Sequence, residues 1–375
     1  MPPNSGRYDP RRIAAAMIYL DANASEPLRP EARAAMYAAM DAPGNPSSIH
    51  AGGRTARFML EQARTQVARR FGVVPGAVVF TSGGTEANAL AVYALGHALG
   101  HGCRLIVGAT EHDAIRAAAP NAEILPVDRD GVADLGQLER LLAGSPALVC
   151  LMHANNETGT LQPIAEAARL CHAAGALLHV DAAQSAGRLA VDMAAIGADS
   201  LAISGHKMGG PQGAGALLIS PRNAVTPLIR GGGQERGWRG GTPALPAIAG
   251  LGAACDIAVS DLSALRNSLE RQVEGAIVIA QGGPRLGNTC CLARPGIASQ
   301  VQVMSLDLAG IAVSAGAACS SGKVARSHVL DAMGLGALAA ESIRVSLPWS
   351  ATEADVVAFI AAYRTMVQRL SRDAA

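Results

Sequence analysis

From about residue 77 to residue 260, short runs that are apolar at nearly every position alternate with stretches whose apolar residues recur every three or four positions. The runs Ala77–Thr81, Arg104–Gly108, Ile124–Val127, Leu148–Met152, Leu177–Asp181 and Leu201–Ser204 predict strands. Between them, Ala87, Leu90, Ala91, Ala94, Leu95 and Ala98 share one helical face, and Gln137–Leu142 and Ile164–Ala174 predict further helices. Strands that are apolar on both sides and separated by helices imply an α/β unit: a mostly parallel sheet covered on both faces. Ligands on such sheets bind outside the carboxyl ends of the strands.

The texture changes after about Ile257. Leu262–Val273 predicts a helix, and Ala276–Ala280, Thr289–Ala293 and Ile343–Leu347 predict strands. A final helix carries the stripe Val356, Phe359, Ile360, Tyr363, Val367 and Leu370, and Thr352 and Asp355 form a capping-box-like start for it. The pattern divides the chain into a large domain, 16–256, and a smaller α+β domain, 257–375, joined by residues 1–15. Ile13–Leu20 follows Arg11 and Arg12, but Asp21 ends the run without a small-residue cleavage site. It reads as a short buried strand or helix edge rather than a secretory signal. No uncharged apolar run reaches the roughly 18 residues that span a bilayer. Gly231–Gly241 is Gly-rich but holds charges and a Trp, which predicts a structured loop.

Composition narrows the classes. Half of the 375 residues are hydrophobic, which excludes a disordered chain. Lys plus Arg is 31 against 30 Asp plus Glu, so no basic field exists to hold nucleic acid. Aromatics are only 3%, so the core must be built from Ala, Val, Leu and Ile. The seven cysteines form no C-x-x-C pair, and Cys290 and Cys291 are adjacent. That spacing suits neither a zinc site nor a disulfide framework and predicts a reducing compartment, the cytoplasm.

Three motifs sit where strands end. Ser82-Gly-Gly-Thr-Glu-Ala-Asn88 follows one strand and opens a helix, a junction suited to an anion. Taken alone it is also an ordinary turn capped by Thr85 or Ser82. It is neither a dinucleotide fingerprint nor a Walker loop. Asp181 ends an apolar strand in His179-Val-Asp-Ala-Ala-Gln184, and Lys207 follows another in Ser204-Gly-His-Lys207. A lone lysine is usually a solvated surface group. Together the three supply an anion cradle, a carboxylate for a pyridinium nitrogen and an amine for an aldehyde, the set that pyridoxal phosphate needs.

With those motifs the chain resembles the fold-type I pyridoxal-phosphate enzymes of aminotransferase class V. Within that class it is similar to the cysteine desulfurases of the nitrogen-fixation and iron–sulfur assembly type. The resemblance runs from Leu20-Asp-Ala-Asn23 to the last helix. It also takes in Gly44-Asn-Pro-Ser-Ser-Ile-His50, Glu111-His112, Ala154-Asn-Asn-Glu-Thr-Gly159, Gly231-Gly-Gly-Gln-Glu-Arg236, Ala317-Ala-Cys-Ser-Ser-Gly322 and Ser327-His-Val-Leu330. It implies that Lys207 holds the cofactor's aldehyde, that Asp181 pairs with the ring nitrogen and that His112 stacks on the ring. It implies that Asn156 and Gln184 bond the phenolic oxygen, and that Thr85, Ser204 and His206 hold the phosphate with the Gly84 backbone. Thr242 resembles a threonine that reaches the neighbouring subunit's cofactor, which implies a homodimer. Arg344 resembles the arginine that clamps the substrate carboxylate, with Asn156 beside the substrate. Without the family, His112 would read as a surface residue at a helix start.

The resemblance places the nucleophile at Cys319, in the small-residue run Ser314–Lys323, and assigns the other six cysteines to packing. Ser327-His-Val-Leu330 favours the branch with the longer catalytic loop. The implied reaction takes sulfur from L-cysteine, leaves a persulfide on Cys319 and releases alanine. An iron–sulfur scaffold or a sulfur-relay protein would then accept the sulfur. One departure is plain: the family usually has Arg-x-Gly-Thr-Glu-Asn where this chain has Arg239-Gly-Gly-Thr-Pro-Ala244. The alternatives are another class V enzyme, a selenocysteine lyase or an aminotransferase, and a non-catalytic sulfur-relay protein. A thiol in the 317–322 run argues against transamination, and intact Lys207, Asp181 and His112 argue against a binding module.

Overall fold

The structure, a computed structural model, describes residues 17–100, 102–144, 146–220, 225–316 and 326–373. The joining segment 1–15 and Cys319 therefore lie outside the described residues. The first strand, β1 (Ile18–Tyr19), is followed by the strands of the main sheet. These are β2 (Val78–Thr81), β3 (Arg104–Gly108), β4 (Glu123–Leu125), β5 (Ala147–Met152), β6 (Leu177–Asp181), β7 (Ser200–Ser204) and β8 (Gly215–Ile219). Their order is β2-β8-β7-β6-β5-β3-β4. Only β8 runs against its neighbours, so the sheet is mostly parallel, as the apolar runs predict. Every residue of β2, β5, β7 and β8 is buried, because helices cover both faces. One face packs Val78, Phe80, Val149, Leu178 and Leu201 under the helix Ala51–Arg70, and the other packs Val79, Leu148 and Leu217 under the helix Gly84–Ala98.

The pairing register brings several strand ends to one edge. Gly215, which opens β8, lies opposite both Thr81 at the end of β2 and Ser204 at the end of β7. Met152 and Asp181 end β5 and β6 as partners. Gly215 must be glycine, because a Cβ there would stand 2.7 Å from the Gly83 Cα and 2.7 Å from the Ile203 carbonyl oxygen.

The remaining strands are β9 (Ile277–Val278), β10 (Thr289–Ala293), β11 (Ile311–Ala312), β12 (Ser314–Ala315) and β13 (Ser342–Ser346). Four of them form an antiparallel sheet in the order β12-β13-β10-β9, while β1 pairs in parallel with β11. Alternation along β13 puts Ile343 and Val345 into a second core with Leu292, Leu306, Phe359 and Tyr363, and turns Arg344 to the other side. The closing helix, Glu353–Asp373, starts as its sequence predicts: the Thr352 backbone N–H donates to Asp355 Oδ2 at 2.8 Å, and the Asp355 N–H donates to Thr352 Oγ1 at 3.3 Å.

Two expectations need correction. The strand expected over Ala276–Ala280 narrows to Ile277–Val278, because only Val278 and Ile277 pair with β10 and Ala280 takes a positive φ of 58°. The strand expected over Ile124–Val127 ends at Leu125, and Val127 instead bridges to Ala133 in a turn. Two long helices, Pro30–Met40 and Ala51–Arg70, have no counterpart among the predicted elements. Among the described residues, no helix is long and apolar enough to cross a membrane.

Candidate active site

A cavity of about 520 Å³ opens at the edge where the strands end. Its wall includes Gly84, Thr85, His112, Asn156, Asp181, Gln184, Ser204, His206, Lys207 and Arg344. Of the predicted site residues that the structure describes, only Thr242 is not on it. Cys319 falls outside the described residues. Thr242 is exposed beside Ser82, Gly213 and Arg239 at the mouth of a neighbouring hollow.

The floor is built by β6. Asp181 is 5% exposed. Its Oδ1 accepts the Ala183 backbone N–H at 2.8 Å, and its Oδ2 accepts the Asn88 side-chain amide at 2.7 Å. Two donors on two oxygens fix the plane of the carboxylate.

The helix Gly84–Ala98 forms the second wall. Gly83 is its N-cap, and no side chain caps it, so neither Ser82 nor Thr85 plays that part. The N–H groups of its first turn have no partner within the helix and point outward with the positive end of the dipole. A Cβ on Gly84 would stand 3.2 Å from the Ser204 Cβ, so a side chain there would crowd the cradle. Glu86 does not compete for an anion, because its carboxylate is committed elsewhere. Burial works against its ionised form, but bonds from Arg239 Nε at 2.8 Å and the Ser82 N–H at 2.8 Å outweigh it and hold the group below the usual range.

Lys207 lies in the short turn Gly205–Lys207 that follows β7. Its Nζ donates to the Asn23 carbonyl and, at 3.0 Å, to the Ala24 carbonyl. The neighbouring His206 has a buried Nδ1 with no protein partner. Burial first, and the Lys207 charge second, push the His206 pKa down to about 4, so its ring is neutral at neutral pH. His112 does cap a helix: Nδ1 accepts the Ala114 N–H at 3.1 Å, and that bond sets the ring on the cavity wall. Behind it, Glu111 is fully buried, with Oε1 on the Met152 N–H at 2.6 Å. Burial lifts its pKa well above the usual carboxyl range despite that bond, and the nearby Asp181 charge adds to the effect.

Arg344 enters from β13. Its guanidinium donates to Asp21 Oδ1 at 2.7 Å and to the Asn156 carbonyl at 3.1 Å, and its buried Nε has no protein partner. Gln184 donates through Nε2 to the Asn23 carbonyl at 3.0 Å and accepts Arg188 through Oε1 at 3.0 Å. Beside Arg344, Glu157 receives the Ser327 hydroxyl at 2.6 Å. Burial raises the Glu157 pKa to about 7, while Ser327 and Arg344 oppose the rise.

The donor set fits pyridoxal phosphate. An uncapped helix start and a Cβ-free cradle suit a phosphate, a fixed carboxylate suits a pyridinium, and an amine lines the same cavity. Asn23, Asp21, Asn88 and Glu157 were not legible as site residues. All four lie inside recognised motifs, but their partners come from distant segments.

The model of the family described as aminotransferase class-V matches residues 18–359. A protein named cysteine desulfurase from Cereibacter sphaeroides is 40% identical over 90% of this chain and 92% of its own length. Among solved structures, a NifS-like protein from Rickettsia africae ESF-5 superposes with a TM-score of 0.86 at 36% identity, covering 94% of this chain and 99% of that one. SspA, solved in complex with cysteine, superposes with a TM-score of 0.80 at 32% identity, covering 88% of this chain and 98% of the other.

Proposed function

The chain belongs to the aminotransferase class-V family, and from that premise we propose a pyridoxal-phosphate-dependent cysteine desulfurase of fold type I with the following division of labour. The observation that carries it is the convergence of Asp181, Lys207 and the uncapped start of the Gly84–Ala98 helix on one cavity whose far wall holds Arg344. When bound, pyridoxal phosphate supplies an aldehyde for the substrate amine and a ring that takes up electron density from the α-carbon.

The protein's own groups do the rest. The first turn of the Gly84–Ala98 helix, Thr85, Ser204 and His206 bind the phosphate. Asp181 would keep a proton on the ring nitrogen, and His112 would stack on the ring. Asn156 and Gln184 face the phenolic oxygen. Arg344 holds the carboxylate of L-cysteine through a guanidinium already aimed by Asp21 and the Asn156 carbonyl. Lys207 Nζ would hold the cofactor's aldehyde, and the same amine, once free, would serve as the base for the α-proton of the substrate.

The Cys319 thiolate attacks the substrate sulfur. A sulfur–sulfur bond forms as the carbon–sulfur bond breaks. The electron pair stays with carbon, which takes a proton and leaves as alanine, and the persulfide passes to an acceptor protein. Among the described residues all six cysteines are free, and Cys150, Cys171, Cys255, Cys290 and Cys291 are buried, which supports Cys319 as the reactive thiol and a reducing, cytoplasmic setting.

A homodimer fits the surface. Thr242 is exposed, and Tyr37, Met40, Ile49 and Phe58 are more than half exposed, with Ile49 at 89%. Pro243 and Ala244 flank Thr242 where the family pattern has an acid and an amide, so the contact rests on Thr242 and not on its neighbours.

Borohydride reduction of the holoenzyme tests the core of this reading. The cofactor should be recovered on Lys207, and Lys207→Ala should lose turnover. Recovery on any other lysine overturns the assignment.

A further inference from the structure

Behind the cavity floor runs a chain of side chains that the reaction just described does not use. Asn88, on the Gly84–Ala98 helix, donates Nδ2–H to Asp181 Oδ2 at 2.7 Å. Its Oδ1 lies 3.0 Å from His179 Nε2, and His179 Nδ1 lies 2.7 Å from Ser200 Oγ. His179 and Ser200 are fully buried and Asn88 is 1% exposed.

The direction of every bond is forced. A carboxylate only accepts, so the Asn88 nitrogen must face Asp181. The Asn88 oxygen then faces His179 and can only accept, so the imidazole proton sits on Nε2. Complete burial pushes the His179 pKa down to about 3, so Nδ1 is bare and accepts a hydrogen bond from the Ser200 hydroxyl. The sequence runs Ser200 Oγ–H to His179 Nδ1, His179 Nε2–H to Asn88 Oδ1, and Asn88 Nδ2–H to Asp181 Oδ2.

A terminal amide can rotate by half a turn at little steric cost. Flipped, Asn88 would aim its oxygen at the Asp181 carboxylate, oxygen against oxygen. With its proton on Nε2, His179 opposes that state, because the Nε2–H would then meet the amide N–H groups and the ring would have to carry its proton on Nδ1 instead. The imidazole also brings no charge. A cation in its place would draw Asp181 away from the ring nitrogen.

We propose that His179 is a positioning residue for the cofactor, an uncharged lock that holds the Asn88 amide in the one orientation that leaves Asp181 aimed at the ring nitrogen. The proposal rests on Asp181 pairing with that nitrogen. It assigns a task to His179, which is not on the cavity wall, acting through Asn88, which is.

The test uses the full-length enzyme loaded with pyridoxal phosphate or with its deaza analogue, which has carbon in place of the ring nitrogen. Dissociation is read by absorbance after dilution into cofactor-free buffer. The wild type should favour pyridoxal phosphate. His179→Leu should shrink that preference by about tenfold or more, the size of a lost hydrogen bond to a charged group. His179→Gln retains an N–H donor and should keep most of the preference. A merely structural role weakens both ligands alike and leaves the preference unchanged, which would overturn the proposal. Asp181→Asn separates the two layers. If it leaves the preference intact, the ring-nitrogen reading itself fails. If it erases the preference while His179→Leu does not, the lock alone fails. A measurement without the leucine variant stands beside it: nitrogen NMR of the labelled wild-type holoenzyme at neutral pH, with His179 assigned by comparison with His179→Gln. It should show His179 protonated on Nε2 only. A doubly protonated ring, or a proton on Nδ1, contradicts the lock.

Discussion

Glu157 offers a perturbation whose sign and size follow from its surroundings. The carboxyl is buried between Ser327, which donates to Oε2 at 2.6 Å, and Gly316, where a Cβ would stand 2.9 Å from the same oxygen. Burial lifts its pKa from 4.5 to about 7 against the pull of Ser327 and Arg344. Below pH 4.5 folded and unfolded chains both carry this proton, and above about 7 neither does. Between those values the folded chain binds more protons than the unfolded one, so stability falls as pH rises. Integrated across the window, the loss is about 3 kcal/mol. Glu157→Gln keeps an acceptor for Ser327 and removes the titration. Urea denaturation of the wild-type and variant holoenzymes from about pH 5 to about pH 8 should show the variant gaining on the wild type by roughly 2–3 kcal/mol. Taking the difference cancels groups that titrate elsewhere. A difference that stays flat across this range, or that favours the wild type as pH rises, would refute the reasoning.

Two further outcomes are expected. Glu235 accepts Arg64 through both oxygens, at 2.7 and 2.8 Å, and the Phe80 N–H at 2.9 Å, in a pair whose side chains are 2% and 3% exposed. Glu235→Ala strands a buried guanidinium and should cost about 3–5 kcal/mol in denaturant unfolding, whereas Arg64→Met with Glu235→Leu should recover most of it. Thr242→Ala should leave the protomer's fold intact, by circular dichroism, and weaken cofactor retention in the dimer. A wild type that sediments as a fully active monomer would contradict the shared site.

Most strands of the two sheets were legible because they are apolar on both sides, although β8, Gly215–Ile219, was not among the predicted runs. Arg104–Gly108, Leu177–Asp181 and Thr289–Ala293 match the predicted bounds. The helix Ala51–Arg70 was not, because its buried face is made of Gly53, Ala56, Leu60, Ala63, Arg64 and Val67. Alanine and glycine give a faint periodic signal, and an arginine at a core position reads as surface. Arg64 is buried because Glu235, 171 positions away, takes it through both oxygens, while the Val78 carbonyl and Glu61 take its other N–H groups. The site divides in the same way. Asp181, Lys207 and the Gly84 turn are visible because each ends or follows an apolar strand. Asn88 reads as one more polar residue on a helix, since its partners Asp181 and His179 come from a distant strand, and Ser200, behind His179, from another. Glu157 likewise depends on Ser327, 170 residues later.

The central claim is that two groups divide the chemistry: Lys207 handles the α-proton and Cys319 takes the sulfur. The most direct measurement is alanine release and protein-bound persulfide from L-cysteine, with Cys319→Ser against the wild type. The variant should bind cofactor, stay yellow and change its spectrum when L-cysteine is added, because Asp181, Lys207 and the phosphate cradle are untouched. It should carry no persulfide and release alanine slower by several powers of ten, corresponding to about 4 kcal/mol or more of barrier. Alanine released by Cys319→Ser at near the wild-type rate would show that Cys319 is not the nucleophile.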